Sequence, residues 1–130
     1  MISLSRVSVV PVISECERQE ALQVLRATYE REKRWVADGN TVFSPDDLDR
    51  FDVAWFLARR NREPVGVLRV LFNPPLAVYA HYGFQPVPGA NFDVTEFVKR
   101  SRVAEIGRFA VLPEHRKNHY IAAALMRAAA

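Results

Sequence analysis

A nearly continuous apolar run covers residues 103–112 and is interrupted only by Glu105 and Arg108. Such a run is typical of a strand that is buried on both faces. A proline ends it and opens a basic turn, and Asn118 at the end of this turn is a favourable N-cap. The Ala-rich residues 120–130 that follow are strong helix formers. The pattern therefore predicts a strand, a basic turn and a helix in succession.

The first part of the chain shows a strand pattern followed by a helix pattern. Residues 5–13 are rich in valine and predict a strand. Ser14 and Glu17 have the spacing of a capping box, in which each side chain satisfies a free backbone N–H of the other residue. We expect the helix to run to about residue 37. Its apolar stripe consists of Leu22, Leu25, Tyr29 and Val36.

Two short runs in the middle of the chain, residues 53–59 and 65–72, are rich in β-branched and aromatic residues. Turn residues lie between them, so they predict an antiparallel hairpin. Before the hairpin, residues 44–47 resemble a helix start, and Asp49 and Asp52 follow it three positions apart. If the helical turn continues, both carboxylates can face the same way, toward a bound cation or toward solvent.

Arg69 is a charge that the strand pattern places among apolar side chains. Alternation puts it on the same face as Val67 and Leu71, so its guanidinium needs a carboxylate partner. Glu105 or Asp52 would serve if the next strand pairs alongside. Such a pair can be functional, and it can equally be a structural pair that holds the core together.

The least regular part of the chain is residues 73–102, which prolines and glycines interrupt repeatedly. Its aromatic side chains either line an apolar pocket or cover the sheet. They are Tyr79, Tyr82, Phe84, Phe92 and Phe97.

Length and composition set the class of protein. The 130 residues, 49% of them hydrophobic, suffice for one domain with a sizeable core. No apolar segment approaches the roughly 18 residues of a membrane span, and residues 1–12 carry Arg6 and lack a cleavage site. We therefore expect a cytoplasmic protein without a membrane span. Cys16 is the single cysteine, which excludes an internal disulfide.

The basic turn is the main candidate for ligand binding. The free N–H groups at a helix start form an anion site, and Arg116 and Lys117 add positive charge beside them, although an ordinary solvated turn has the same composition. The net charge of +3 suits an acidic partner or a phosphorylated substrate. We expect no nucleic-acid partner, because the basic residues are scattered. His115 and His119 lack a third ligand in register, so no metal is expected.

Three charge motifs follow one another in the chain and carry a resemblance. They are Asp49 with Asp52, Gly66 with Arg69, and Glu105 with Arg108, each pair three positions apart. Together with the order of predicted elements, they resemble the GNAT acyltransferase superfamily over nearly the whole chain. The nearest branch is that of acyl-homoserine lactone synthases and long-chain N-acyl amino acid synthases. The resemblance implies an α/β (α+β) fold with a mixed, mainly antiparallel central sheet flanked by helices.

The resemblance also implies an activity, the transfer of an acyl group from a thioester to an amine. The donor would be acyl carrier protein or acyl-CoA, and the acceptor a small-molecule amine. An amine is protonated at neutral pH, and a buried carboxylate such as Glu105 could accept its proton directly or through water. Arg108 would support Glu105 or the acyl site. Asp49, Asp52 and Arg69 would bind or orient the acceptor.

For the donor, the resemblance implies a pantetheine arm along the fourth strand and phosphates at the basic turn. We place a β-bulge at Gly107, where it would expose backbone groups to the pantetheine amides and bring Glu105 and Arg108 to one side. A backbone N–H of the bulge could stabilise the oxyanion. The implied donor-binding residues are Gly107, Phe109, Val111, Arg116, Lys117, Asn118, His119 and Tyr120.

The basic turn departs from the superfamily pattern because residues 116–121 lack its two glycines. Side chains at these positions limit the approach of the backbone to a pyrophosphate. The departure favours a carrier protein, whose single phosphodiester and acidic surface suit a basic turn, over acyl-CoA.

The superfamily fold continues beyond the last predicted helix. We therefore expect residues 1–130 to be the N-terminal portion of a single GNAT-like domain that is incomplete at its C-terminus. Two alternatives stay open: a lactone synthase with S-adenosylmethionine as acceptor, and an inactive domain that only binds the acyl donor.

Overall fold

The computed structural model describes residues 6–33, 48–72, 87–89, 91, 93, 96 and 100–130. Within these residues, four strands form one sheet and two α-helices pack against it. The strands are β1 (Val7–Pro11), β2 (Val53–Arg60), β3 (Glu63–Phe72) and β4 (Ala104–Val111). The helices are α1 (Glu15–Leu25), which continues as a π-helix over Arg26–Glu32, and α2 (His119–Ala129), which follows a 3-10 turn at Pro113–His115.

The sheet has the order β1-β2-β3-β4, and all three neighbouring pairs are antiparallel. One face packs against α1, where Leu22 and Leu25 meet Leu57. The other face packs against α2 through Ile121 and Leu125. The predicted class of fold, a mainly antiparallel sheet flanked by helices, is confirmed.

The start of α1 follows from its local sequence. The Ser14 Oγ accepts a hydrogen bond from the Glu17 N–H at 3.3 Å, and the Glu17 carboxylate accepts one from the Ser14 N–H at 2.7 Å. The predicted capping box is therefore confirmed. After Leu25 the hydrogen bonding changes to the π pattern, in which the Lys33 N–H donates to the Thr28 carbonyl at 2.9 Å.

The bulge in β4 lies one residue after its predicted position. Gly107 still pairs with Arg69, whereas Arg108 and Phe109 together lie opposite Leu68 alone. Arg108 takes a φ of 46°, in the left-handed region that costs a non-glycine residue about 1 kcal/mol or more. The extra residue thus enters after the glycine.

The prediction that residues 103–112 are buried on both faces is wrong. In β4 only Ala110 and Val111 are buried, and Arg108 and Phe109 are exposed. The reason is that β4 is the last strand of the sheet that the described residues form, and that its packing is concentrated at its C-terminal end. An apolar run indicates a strand, but it does not show whether other elements cover both faces of that strand.

Other predicted elements agree with the structure or lie outside the described residues. The antiparallel hairpin and the final helix are confirmed. The helix start at residues 44–47, the continuation of the first helix beyond residue 33, and the five aromatic residues of the irregular segment lie outside the described residues. Among the helices that the structure describes, none combines the length and apolar character that a bilayer crossing requires.

Candidate active site

Arg69 lies at the centre of a cluster of charges on the α1 face of the sheet. The strand register places Trp55 on one side of it and Gly107 on the other. Its Nη2 lies 3.6 Å from Oε1 of Glu105, and the two side chains are 15% and 32% exposed. The ion pair that strand alternation predicted is therefore present, at a distance too long for a hydrogen bond.

Gly107 leaves the space that this pair occupies. A Cβ atom at Gly107 would lie 3.2 Å from Oε1 of Glu105 and 3.5 Å from Nη2 of Arg69. A side chain here would press on both charged groups. The close approach gives Gly107 a role in the site although the bulge itself lies one residue later.

The guanidinium of Arg69 is held in an unfavourable environment. Burial lowers the pKa of Arg69, and the positive charge of Arg108 lowers it further, while the carboxylate of Glu105 opposes these effects. Within the described part of the chain, the buried Nε of Arg69 and the buried Nε1 of Trp55 have no hydrogen-bond acceptor. An unsatisfied buried donor costs about 1–3 kcal/mol, so this position favours a polar or anionic group that can accept.

The two predicted acceptor aspartates occupy different surroundings. The carboxylate of Asp52 binds Arg50 through two hydrogen bonds, at 3.0 and 2.6 Å, and its charge acts on Arg69. The carboxylate of Asp49 accepts from Nε of Arg18 on α1 at 2.8 Å. The structure therefore brings Asp52 to the charge cluster, and it joins Asp49 to the first helix.

A cavity of about 270 Å³ lies between the π-helix, the C-terminal end of β4 and the start of α2. We call it the groove. Its lining includes part of the donor-binding set that the family resemblance implied. These residues are Phe109, Val111, Arg116, Asn118 and His119, whereas Gly107, Lys117 and Tyr120 do not line it. The volume is close to the lower end of the range for ligand pockets.

Arg116 at the end of the groove is already paired. Its Nε donates to the Val111 carbonyl at 2.9 Å, and its two terminal nitrogens donate to the carboxylate of Glu32, with Nη1 at 2.6 Å from Oε2. This hydrogen bonding raises the pKa of Arg116 and lowers that of Glu32. Asn118 is the N-cap of α2, since its Oδ1 accepts from the Tyr120 N–H at 3.1 Å.

Tyr29 joins the groove to the charge cluster, a role that sequence reasoning missed. Periodicity assigned it to the apolar stripe of the first helix, but its half-buried side chain lines the groove. Burial raises the pKa of Tyr29, and the nearby charges of Arg108 and Arg69 lower it to a smaller extent. A tyrosine in an otherwise aliphatic stripe was the available signal.

Comparisons with known proteins agree with this architecture. The model of the acetyltransferase (GNAT) domain family matches residues 24–126. No curated protein sequence matches the chain significantly. Among solved structures, the chain resembles FeeM, an N-acyl amino acid synthase from uncultured soil microbes, with a TM-score of 0.66 and 17% identity. The match covers 97% of this chain and 64% of FeeM, so the chain spans less than two thirds of that protein.

A second solved structure is the aminoglycoside N-acetyltransferase AAC(6')-Iy in complex with CoA. It matches with a TM-score of 0.53 and 14% identity, over 99% of this chain and 72% of that one. At these identities both likenesses concern the fold. The predicted membership of the GNAT superfamily is confirmed by the family model, and the activity of this chain stays a prediction. Because the family model matches most of its length, the chain belongs to the GNAT acetyltransferase domain family.

Proposed function

We propose that this chain carries the donor-binding groove and the proton acceptor of an N-acyltransferase. The enzyme transfers an acyl group from a phosphopantetheine thioester, either acyl carrier protein or acyl-CoA, to an amine. The observation that carries the proposal is the Arg69–Glu105 pair, which lies partly buried beside the bulge in β4. Tyr29, which lines the groove and lies near enough for the charge of Arg69 to act on it, links the pair to the groove. Ionisable groups perturbed by burial and by neighbouring charges are typical of functional sites.

The donor fits the groove in one direction. The apolar wall at Phe109 and Val111 follows β4, and the cap residue Asn118 marks the helix N-terminus at the other end. A helix N-terminus favours anions, so the phosphate of the arm would lie there and the thioester toward the bulge. Within the described residues no strand pairs with the outer edge of β4, and its backbone groups can bond the pantetheine amides.

Chemically, Glu105 accepts a proton from the ammonium group of the acceptor. The amine nitrogen then attacks the thioester carbonyl carbon, and a C–N bond forms as the carbonyl oxygen becomes an oxyanion. A backbone N–H at the bulge, where Arg108 and Phe109 face a single residue, stabilises this charge. Collapse of the intermediate breaks the C–S bond and releases a thiolate, which takes up the second proton that the amine nitrogen loses, while Glu105 returns the first proton to solvent.

For the acceptor, we propose an amine that also carries a carboxylate, such as an amino acid. The buried donors of Arg69 and Trp55 favour an anionic group, and Asp52 lies near enough for its charge to act on Arg69. FeeM, which has a similar fold, is an N-acyl amino acid synthase. An amino acid would place its carboxylate toward Arg69 and its amine toward Glu105.

The test is amide formation. We would incubate the chain with acyl-CoA and acyl carrier protein of several acyl lengths, together with a panel of amines and amino acids, and detect amides by mass spectrometry. Glu105→Gln is expected to lower turnover by about 10²-fold or more, because the glutamine cannot accept the proton. Glu63→Gln, at an exposed position of the hairpin, makes the same chemical change and is the control.

Two outcomes would refute the proposal. Donor binding with no amide from any acceptor would leave a domain that only binds the donor. Full turnover by Glu105→Gln would remove this residue as the proton acceptor.

A further inference from the structure

The pairing of Glu32 with Arg116 bears on which donor the groove takes. Both terminal nitrogens of the guanidinium are used by the Glu32 carboxylate, and its Nε is used by the carbonyl of Val111. The two side chains are only 40% and 25% exposed. A guanidinium binds a carboxylate or a phosphate through the same fork of donors, and this fork is already occupied.

The charges around this end of the groove decide what it offers to an anion. Arg116 lines the groove, but the carboxylate bound to it cancels its charge, and the charge of Glu114 also acts on it. Lys33 lines the groove, and Lys117 lies in the same turn as Arg116, with an exposed side chain. Two lysines suit one phosphodiester better than the diphosphate and additional phosphate of CoA.

A donor with several phosphates has two ways to bind here, and both are unfavourable. It can displace Glu32 from Arg116, which leaves the negatively charged Glu32 carboxylate without this partner beside the incoming phosphates. It can also bind next to the intact pair, where the carboxylate repels the second phosphate. A carrier-protein arm has a single phosphodiester and avoids most of this repulsion.

We propose that Glu32 is a donor-selectivity residue, which favours acyl carrier protein over acyl-CoA by holding Arg116 away from a diphosphate. The inference rests on the proposed function in one respect, that the groove takes the phosphopantetheine of the donor. Nothing in the proton-transfer step depends on it, because the Arg69–Glu105 pair belongs to a separate group of contacts.

Binding measurements test the inference without turnover. Isothermal titration calorimetry with CoA and with 4′-phosphopantetheine would compare the wild-type chain with Glu32→Gln and with the control Glu63→Gln. Glu32→Gln is expected to tighten CoA binding about tenfold and 4′-phosphopantetheine binding less than about threefold, because the second phosphate gains most from removal of the carboxylate. Glu63→Gln should leave both affinities unchanged.

A second variant controls for folding. Glu32→Asp keeps the charge, and circular dichroism would verify that all variants retain the fold. We expect Glu32→Asp to bind CoA like the wild-type chain. In turnover, the ratio of kcat/KM for acyl carrier protein to that for acyl-CoA should fall in Glu32→Gln alone.

The selectivity inference and the proposed function fail in different ways. Unchanged CoA affinity in Glu32→Gln, or an equal gain for both ligands, would overturn the selectivity role even if amides form. Selective tightening of CoA without amide from any donor would support the role of Glu32 and refute the transferase. Absence of binding by either ligand in all variants would refute the groove assignment and the selectivity together.

Discussion

Replacing Arg69 by methionine tests whether this charge serves the fold or the reaction. The side chain is 15% exposed, its Nε has no acceptor among the described residues, and the distance of 3.6 Å to Glu105 gives an ion pair without a hydrogen bond. Burial is the largest cause of the lowered pKa of Arg69, and the charge of Arg108 adds to it. The positive charge is therefore costly to keep in the folded chain.

The expected change in the free energy of unfolding depends on two opposing effects. Replacement of a whole buried ion pair by apolar side chains can stabilise a protein by about 1–4 kcal/mol, whereas removal of one partner alone costs about 3–5 kcal/mol when the other charge stays buried. Glu105 is 32% exposed and stays partly hydrated in Arg69→Met, and the cost of burying the Arg69 charge is removed, so we expect the two effects to offset to within about 1 kcal/mol. For a chain of this size such a difference changes Tm by no more than roughly 4 °C.

The assay combines thermal unfolding with amide formation. Arg69→Met should leave Tm within this range while it lowers kcat/KM by about tenfold or more, because a charged hydrogen bond to the acceptor is lost. Arg59→Met is the matched control. Arg59 donates two hydrogen bonds to Glu20, at 2.9 and 3.2 Å, so its loss should lower stability by about 1–2 kcal/mol.

The reasoning is refuted if Arg69→Met destabilises the chain as much as Arg59→Met does. In that case the pair with Glu105 is structural, which is the alternative that the sequence left open. A variant with unchanged stability and unchanged turnover would exclude Arg69 from the acceptor site as well.

Two further predictions concern the other carboxylates. The hydrogen bonds from Arg59 lower the pKa of Glu20 below its ordinary value of 4.5, so the ion pair contributes stability that is present above this value and lost as the pH falls through the lower folded pKa. The difference in free energy of unfolding between the wild-type chain and Glu20→Gln, measured with urea, should therefore have its full value at neutral pH and decrease below about pH 4. A difference that does not change with pH would contradict this role of the ion pair. Asp52→Asn should raise KM for the acceptor amine, whereas Asp49→Asn should mainly lower stability by less than about 1 kcal/mol because its carboxylate pairs with Arg18 at the surface. Equal effects of the two variants on KM would contradict the separation of the two aspartates.

Much of the fold could be predicted because its signals are local. The capping box of Ser14 and Glu17 needs only two residues at a fixed spacing, and both of its hydrogen bonds are present. The hairpin of β2 and β3 is likewise encoded by two strands and the turn between them. In both cases the residues that make the contact are also close in sequence.

Burial and register depend on partners and could not be predicted in the same way. The apolar run of β4 indicated a strand correctly, but it does not record that the strand lies at the end of the described sheet. The bulge follows Gly107 because that residue keeps its pairing with Arg69, and only the register of β3 fixes this. A glycine marks where a bulge is permitted, and the partner strand decides where it forms.

In the candidate site, too, local features could be predicted from the sequence, and contacts between distant residues could not. Strand alternation predicted that Arg69 needs a carboxylate partner, and Glu105 was one of the two candidates. The contact between Glu32 and Arg116 joins residues 84 positions apart, and the sequence pattern of neither segment predicts it. The roles in the reaction, the choice between the two donors and the cytoplasmic location stay predictions.

Two departures from regular structure meet at the groove, and this convergence is the strongest structural argument for a binding site there. On one wall, the π-helix places Thr28 and Tyr29, and the Thr28 hydroxyl donates to the Val24 carbonyl at 2.9 Å. On the other wall, Phe109 belongs to the bulge whose first residue, Arg108, has a positive φ. Both irregularities cost energy relative to a regular helix and a regular strand, and each reorients side chains toward the same cavity. Backbone irregularities of this kind cluster at ligand sites, so their meeting at one cavity supports the assignment of the groove as a binding site.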